Sequence, residues 1–460
     1  MDDRTPARPA HRSRPAQRAG SSTTLRARLW FWPSVAAASS FLATLGLLLV
    51  RPSPEATWVR WAWPSGTDAA SGLLQAVASS IMTATTLIFS LTVVALQLAS
   101  QQFSPRLLRE FARDRVTQAV LAVLVSTFVV AVTGLRGMDP DGPLPVLVPP
   151  VVLLLAIASA GALLVFVGHI VRSLRVDTMM VSVHQQAAAA LRETYPRYGD
   201  RSKDPSPELA ARTGGELVTS TRSGLVKTVH PRLLVRSAHD HGLFVAVMVR
   251  PGDHVGVGSP IAEVWSDQGV GPPRHEGLDR VLATAVELGY ERTLEQDAAL
   301  GLRQLTDIAV KAISPSINDP ITAAHAVGYC TDLLVRLQGC RLGPQQHDDE
   351  DGVPRVMTLD RDHRYYLDLV CAPVRRFGSA EPLVLTALLR MLRDCAANAR
   401  DDEQREELSR QTGLVLESTD PQLLGYDAAA VHDLARRVGL ALDGDLRGAY
   451  QDRAGETRSV

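Results

Sequence analysis

The chain has 460 residues, enough for roughly three domains at ~150 residues each. Its 48 Lys and Arg against 49 Asp and Glu leave a net charge of −1, which argues against general nucleic-acid binding. The four cysteines, Cys330, Cys340, Cys371 and Cys395, lack C-x-x-C spacing, which excludes a disulfide-dense scaffold and an all-cysteine zinc site of the usual kind.

Residues 1–28 are rich in Arg, Pro, Ala, Ser and Thr and read as a disordered basic tail. Four uncharged apolar stretches follow: Leu29–Val50, Gly72–Leu98, Thr117–Leu135 and Leu144–Gly168. A membrane-spanning helix needs ~20 such residues, so residues 29–171 are expected to form a four-helix transmembrane domain. The first stretch could instead be a signal peptide, but its apolar core is long and no clear small-x-small cleavage site follows. The tail carries seven Arg and the second loop carries Arg106, Arg109, Arg113 and Arg115, whereas the third loop has Arg136 alone. By the positive-inside rule both termini lie in the cytoplasm of a plasma-membrane protein, which fits reduced cysteines.

The second stretch differs from the others. Gln75, Ser79, Thr83, Thr86, Ser90 and Gln97 are separated by 4, 4, 3, 4 and 7 residues. Such steps place side chains on one helix face, and the stripe is ~33 Å long, a full hydrocarbon thickness. Two readings stand. The stripe lines a water-filled path, or its hydroxyls pack against neighbouring helices and bond their own backbone. Next, Ser100–Gln118 reads as an interfacial amphipathic helix, with Ser104 as N-cap and Pro105 at the first position. Its Arg106, Arg109 and Arg113 form either a positive-inside anchor or a basic ring at a cytoplasmic mouth.

Residues 172–214 are expected to be helix and linker. Ala-rich Val176–Thr194 continues the fourth span, and Tyr195–Gly215 is a Pro-, Gly- and charge-rich boundary. Residues 215–270 read as a small β-barrel-like subdomain. Glu216–Ser220, Leu225–Val229, Leu243–Arg250 and Ile261–Trp265 are its strands, and Pro231–Ser237 is a short helix. The string VRPGDHVGVGSPIAEVW (249–265) is similar to one half of a biotinyl or lipoyl carrier barrel. It lacks the hairpin-tip lysine of those domains, since Lys227 lies within a strand. His239 and His241 would share one side of an extended strand and could share a metal. The preferred reading makes His239–Gly242 the polar end of the short helix, because Gly commonly follows a helix terminus. No metal site and no cofactor are expected.

Residues 277–449 are expected to form a mainly helical α+β domain, and 450–460 a disordered tail. Leu278–Gln338 reads as helical, with a T-x-x-Q capping pair at Thr293 and Gln296. Leu294, Ala298, Leu302, Leu305, Ala309 and Ile313 form its buried face, and Arg303, Asp307 and Lys311 an exposed ion-pair ladder. Pro315 stops this helix, and Asp319 with Pro320 opens the next. The intervening elbow is structural, or else Ser316, Asn318 and Asp319 bind a ligand at the helix N-terminus. The acidic run His347–Asp351 reads as a solvated loop. Arg355–Leu359 and Tyr365–Val370 read as paired strands, Glu381–Arg410 as one amphipathic helix, and 427–449 as a last helix. No nucleophile elbow, phosphate-cradling loop, HExxH or kinase signature occurs, so no catalytic residue is assigned and a non-enzymatic role is favoured.

Two long stretches carry a resemblance: FSLTVVALQLASQQFSPRLLREFARDR (Phe89–Arg115) and LEQDAALGLRQLTDIAVKAISPSINDPITA (Leu294–Ala323). Both are similar, in order, to segments of a bacterial family of predicted membrane proteins, domain of unknown function 2254, over about residues 25–420. The resemblance implies a multi-pass membrane protein with a cytoplasmic domain and brings no activity, substrate or catalytic residue. The sequence therefore predicts an α-helical four-span membrane protein with a cytoplasmic α+β region. Its expected partners are the lipid bilayer, further copies of itself and an unidentified cytoplasmic protein, with no nucleic acid. The favoured role is an oligomeric channel or transporter lined by the second span; the alternative is a membrane-anchored signalling or scaffold protein.

Overall fold

The computed structural model describes residues 31–50, 63, 66–102, 114–138, 145–173, 175–198, 214–266 and 276–451. They divide into two compact units: one takes the described residues up to Ser173 apart from Gln102, the other Gln102 and the described residues from Arg175 on.

The first unit contains α1 (Phe31–Leu49), α2 (Thr67–Gln102), α3 (Arg115–Arg136) and α4 (Val148–Ser173). All four are long and apolar enough to cross a membrane. At 1.5 Å per residue they run from about 29 Å to about 54 Å, against a hydrocarbon core of ~30 Å. The α3 helix is the most enclosed. Its Val120, Leu121 and Leu124 meet Ile81, Ile88 and Ala95 of α2 and Phe166 and Ile170 of α4. Higher up, Val130 and Ala131 meet Leu74 of α2 and Val148 and Val152 of α4. Thr127 and Ser159, both buried, share a 2.8 Å hydrogen bond between α3 and α4. Asp114 caps α3, accepting from the backbone N–H groups of Val116 and Thr117, with the ring of His169 2.8 Å away.

The expected helix over Ser100–Gln118 does not form as one element. The α2 helix runs on to Gln102, Asp114 is extended, and Arg115–Gln118 begin α3. Its expected cap at Ser104 and Pro105 falls in 103–113, outside the described residues. Nor does α4 continue unbroken: Arg175 is extended (φ −77°, ψ 126°) and caps a separate helix, α5 (Val176–Thr194).

The second unit joins α5 to two sheets and a helical bundle. In sequence order its elements are β1 (Glu216–Thr219), β2 (Gly224–Val229), α6 (Pro231–His241), β3 (Leu243–Val247), β4 (His254–Val255), β5 (Pro260–Ser266), α7 (Glu276–Ala285) and β6 (Val286–Gly289). They continue with α8 (Ala298–Ala312), α9 (Pro320–Gln338), β7 (Gln345–Asp348), β8 (Pro354–Thr358), α10 (His363–Phe377), α11 (Pro382–Ala396), α12 (Asp402–Ser418), α13 (Gly425–Leu442) and α14 (Leu446–Ala449). One sheet has the order β1-β5-β3-β8-β7 and the other β4-β2-β6. All pairs are antiparallel except β3 and β8, which run parallel with Val245 opposite Val356. The continuously apolar β3 is buried along its whole length, as a central strand covered on both faces must be.

No barrel closes around these strands. The sheets are open, and they recruit β6, β7 and β8 from beyond residue 270. Lys227 sits within β2 and pairs with Glu287 of β6 at 3.0 Å, so it is no hairpin-tip carrier lysine. The α6 helix ends as expected, with Gly242 left-handed at φ +61°.

The helical half departs from expectation at several elements. Leu278–Gln338 is interrupted by β6, and Asp297, rather than Thr293 with Gln296, caps α8 by accepting from Leu300 N–H. The Gln296 amide oxygen instead accepts from Val229 N–H. Tyr365–Val370 is not a strand but part of α10, because Asp362 accepts from Tyr365 N–H and nucleates a helix there. Glu381–Arg410 is two helices, α11 and α12, the second capped by Asp401. The core helix is α8, buried along Ala298–Leu302 and most of its length, with α5, α9 and α10 around it.

Candidate functional site on the second span

The α2 helix has two opposed faces. Among its described residues, Ala70, Leu74, Ile81, Ile88 and Ala95 are buried. With 3.6 residues per turn they fall within an arc of about 60°. Gln75, Ser79, Thr83, Thr86, Ser90 and Gln97 are all exposed. Their arc is centred about 170° from the buried one, by the same geometry. Among the described residues, the polar stripe therefore points away from the α3 and α4 helices that α2 packs against in its own unit.

This bears on the packing alternative. Hydroxyl packing inside the unit does occur, but between Thr127 and Ser159 on α3 and α4. On α2 the threonine hydroxyls donate to their own backbone: Thr83 to Ser79 O at 3.0 Å and Thr86 to Met82 O at 3.0 Å. Their lone pairs remain on the outer surface. Exposed Met82, Leu87, Val93 and Val94 flank the stripe. The mouth candidates Arg106, Arg109 and Arg113 lie outside the described residues.

The elbow residues are placed around the N-terminus of α9. Asp319 caps that helix, accepting from Thr322 N–H at 3.1 Å and from its hydroxyl at 2.6 Å. These hydrogen bonds hold its carboxyl below the usual carboxylate value. Ser316 and Asn318 are exposed; the Ser316 hydroxyl is 3.1 Å from that of Ser314, and Asn318 is left-handed at φ +51°. A carboxylate already occupies the helix N-terminus where an anion would bind.

The two histidines diverge. His241 Nδ1 is 2.8 Å from Ser237 O, whereas His239 Nδ1 is 3.0 Å from Asp349 Oδ2. His239, Asp349 and Asp351 present possible metal-ligand atoms within 4.8 Å of one another. Asp349 is nevertheless committed: Arg355 Nε donates to Oδ2 at 2.8 Å, and Val353 and Asp351 N–H donate to Oδ1. The Arg355 and His239 bonds hold the Asp349 carboxyl well below its ordinary value and raise that of His239. With a guanidinium on the oxygen a metal would need, this group is an ionic clasp between α6 and the β7–β8 hairpin. The acidic run is thus partly structural: Gln345–Asp348 form β7 and the Asp349 side chain is buried, not solvated.

A second charged cluster escaped the sequence reading. Asp297 Oδ2 lies 2.6 Å from Arg292 Nη2, and Arg361 Nη1 lies 3.7 Å from Asp297 Oδ1. Arg361 also donates to Pro251 O at 2.7 Å and lies 3.7 Å from Asp253. Gly252, at φ +92°, presses its backbone onto the pair; a Cβ there would sit 2.4 Å from Asp297 Oδ2. Burial pushes the Asp297 carboxyl upward even against Arg292 and Arg361. Beside it, Tyr195 and Tyr366 share a 2.6 Å hydrogen bond, and burial raises Asp360. The signals were present as a Pro-Gly-Asp turn and an Asp immediately before an Ala-rich helix. Their pairing across 44 residues was not.

The family model described as Predicted membrane protein (DUF2254) matches residues 26–394. The uncharacterized protein Rv1290c of Mycobacterium tuberculosis is 33% identical over 437 residues, covering 91% of this chain and 82% of the relative. The uncharacterized protein Mb1321c of Mycobacterium bovis matches with the same identity and coverage. No solved structure matches the chain.

Proposed function

The chain belongs to the DUF2254 family of predicted membrane proteins, and from that premise we propose that it is a homo-oligomeric channel or transporter whose path is lined by α2. The observation that carries this reading is that the six stripe residues are all exposed, opposite the face that packs. Side-chain amides and hydroxyls turned toward acyl chains are costly unless protein or water meets them. Rotational assembly brings one identical face of every copy to a common axis. A ring of α2 helices then gives the stripe a wet partner along ~33 Å. In this reading both termini are cytoplasmic in the plasma membrane, and the second unit assembles or gates the ring.

One observation favours a second reading. The Thr83 and Thr86 hydroxyls already bond their own backbone, so the stripe tolerates a dry contact between copies. The protein would then be a membrane-anchored scaffold or signalling assembly without transport.

Reconstitution of the full chain in liposomes separates the two. Flux of monovalent cations or anions, reduced by Ser90→Leu and preserved in Met82→Leu on the flank, is the expected result. Folded, inserted protein passing neither class of ion contradicts the conduit.

A further inference from the structure

Ionisable side chains are scarce among the described residues of the first unit. Asp68 opens α2 and Arg136 closes α3; Asp114, Arg115, His169 and Arg172 complete the set. Ionisable groups in membrane helices are costly and mark function by default. Packing within the unit gives the level of each. A Cβ on Gly134 of α3 would lie 3.0 Å from Leu74 Cδ2 of α2 and 2.5 Å from Val148 Cγ1 of α4. From that level Asp114 is about 30 Å along α3, His169 about 32 Å along α4 and Gln97 about 35 Å along α2. The core between them runs the same way, with Ile81, Ile88 and Ala95 against Val120, Leu121 and Leu124 and against Phe166 and Ile170. Asp114 and His169 therefore sit at the last turns of the polar stripe.

The two residues pair across helices. His169 Nε2 is 2.8 Å from Asp114 Oδ2 and 3.2 Å from the Ser173 hydroxyl. The carboxylate is fixed on α3: Oδ2 accepts from the Thr117 hydroxyl at 2.6 Å and from Thr117 N–H at 3.0 Å, and Oδ1 from Val116 N–H at 3.1 Å. The imidazole arrives from α4. Elsewhere α3 and α4 meet through apolar packing and the Thr127–Ser159 hydrogen bond. The His169 and Asp114 side chains are 25% and 19% exposed, so a proton reaches the pair although most of its surface is covered. The other charges near this level are constant. Arg115 and Arg172 are exposed guanidiniums, and among the described residues neither α1 nor α2 brings an ionisable group to this end. Histidine is the side chain whose ordinary charge change falls between about pH 5 and 8.

We propose that His169 and Asp114 form a proton-operated latch between α3 and α4 at the end of the α2 stripe. With His169 protonated, a charge-assisted hydrogen bond ties the cap of α3 to the last turns of α4. When the ring returns its proton to water, the ionic part of the bond is lost. A neutral ring protonated at Nδ1 presents a lone pair at Nε2, which accepts from Ser173 and turns from the carboxylate. The α3 and α4 helices carry the surface on which Ile88 and Ala95 of α2 rest, so release of the latch loosens the support behind the last turns of the stripe. Control of a path by this latch rests on the conduit reading; the latch itself does not.

The test uses the full chain in phosphatidylcholine vesicles, with Cys340→Ser removing the half-buried thiol while Cys330, Cys371 and Cys395 stay buried. Nitroxide spin labels on Ala119→Cys of α3 and Val171→Cys of α4, both exposed positions, report the separation of the two helices. Labelled protein is diluted with unlabelled protein so that each signal comes from one copy. The distance distribution is expected to be narrow at about pH 5 and severalfold broader at about pH 8. His169→Gln is expected to be broad at both, as is Asp114→Asn, which keeps a capping acceptor without the charge. His169→Arg carries a permanent charge and is expected to stay narrow at both. Circular dichroism confirms the fold of each variant. A parent distribution that ignores pH, or a pH response that survives His169→Gln, overturns the proposal. Flux of monovalent ions through unlabelled vesicles reads the consequence, expected to change severalfold over the same pH range in the parent and not in His169→Gln. A responding latch in vesicles that pass no ion contradicts the conduit and upholds the latch, whereas flux indifferent to His169 beside a responding latch overturns its control of the path.

Discussion

Removing Asp297 tests whether the buried charge cluster holds the second unit together. Its carboxylate makes the N-cap of α8 and meets two guanidinium groups, with Arg292 Nη2 at 2.6 Å and Arg361 Nη1 at 3.7 Å. The Arg361 side chain is 4% exposed and the Arg292 side chain 16%, so neither recovers water without rearrangement. Breaking one side of a buried ion pair costs about 3–5 kcal/mol. The lost cap adds about 1 kcal/mol, though the two losses overlap because the groups are in contact. At roughly 2–4 °C per kcal/mol, Asp297→Ala is expected to lower the unfolding midpoint of the detergent-solubilised chain by about 6–20 °C. Asp297→Asn keeps an acceptor for Leu300 N–H and for one arginine. Since burial already raises the Asp297 carboxyl, losing its charge costs less than losing the group, about 1–3 kcal/mol. Thermal circular dichroism reads both. An Asp297→Ala midpoint within about 2 °C of the parent, or an Asn variant as damaged as the Ala variant, would refute the argument.

Three further outcomes follow from the geometry. Gly252→Ala puts a methyl 2.4 Å from Asp297 Oδ2 at a φ of +92°, and is expected to destabilise by about 1–3 kcal/mol in the same assay. Gly301→Ala should gain about 1 kcal/mol by helix propensity, but its Cβ meets the rigid Ala187 Cβ at 2.4 Å; overpacking of about 1–3 kcal/mol is expected to win, and a raised midpoint would contradict it. His239 is raised by its bond to Asp349, so its clasp is fully present below about pH 6.5 and is lost as pH rises through the higher folded value. The stability difference between the parent and His239→Gln is therefore expected to shrink between acid and mildly alkaline pH, and a difference that grows would reverse the assignment.

What the sequence disclosed depended on the range of each signal. The spans were visible because twenty uncharged apolar residues have one common explanation. Asp319 before Pro320, and Gly242 after α6, were visible because capping is read over three or four residues. Thr293 with Gln296 was a plausible cap that lost to Asp297, whose arginine partners lie 5 and 64 residues away in sequence. Tyr365–Val370 has strand-like composition, but the Asp362 cap and packing against α8 and α12 make it helical. The acidic run looked solvated because the arginine that neutralises Asp349 sits on the facing strand of the hairpin. The barrel-like reading went unconfirmed for a related reason. A parallel partner for β3 lies more than a hundred residues away in β8, and local pattern carries no trace of it. For the candidate site the stripe itself was legible, but which face of α2 its own unit leaves exposed was set by the packing of Leu74, Ile81 and Ile88 against α3 and α4.

The most direct test is the wetness of that face. In the full chain in vesicles, single cysteines at Ser79, Thr83 and Ser90 are expected to react with membrane-impermeant thiol reagents, while one at Leu87 on the lipid-facing flank is protected. Equal protection at all four positions would contradict a water-filled path along α2.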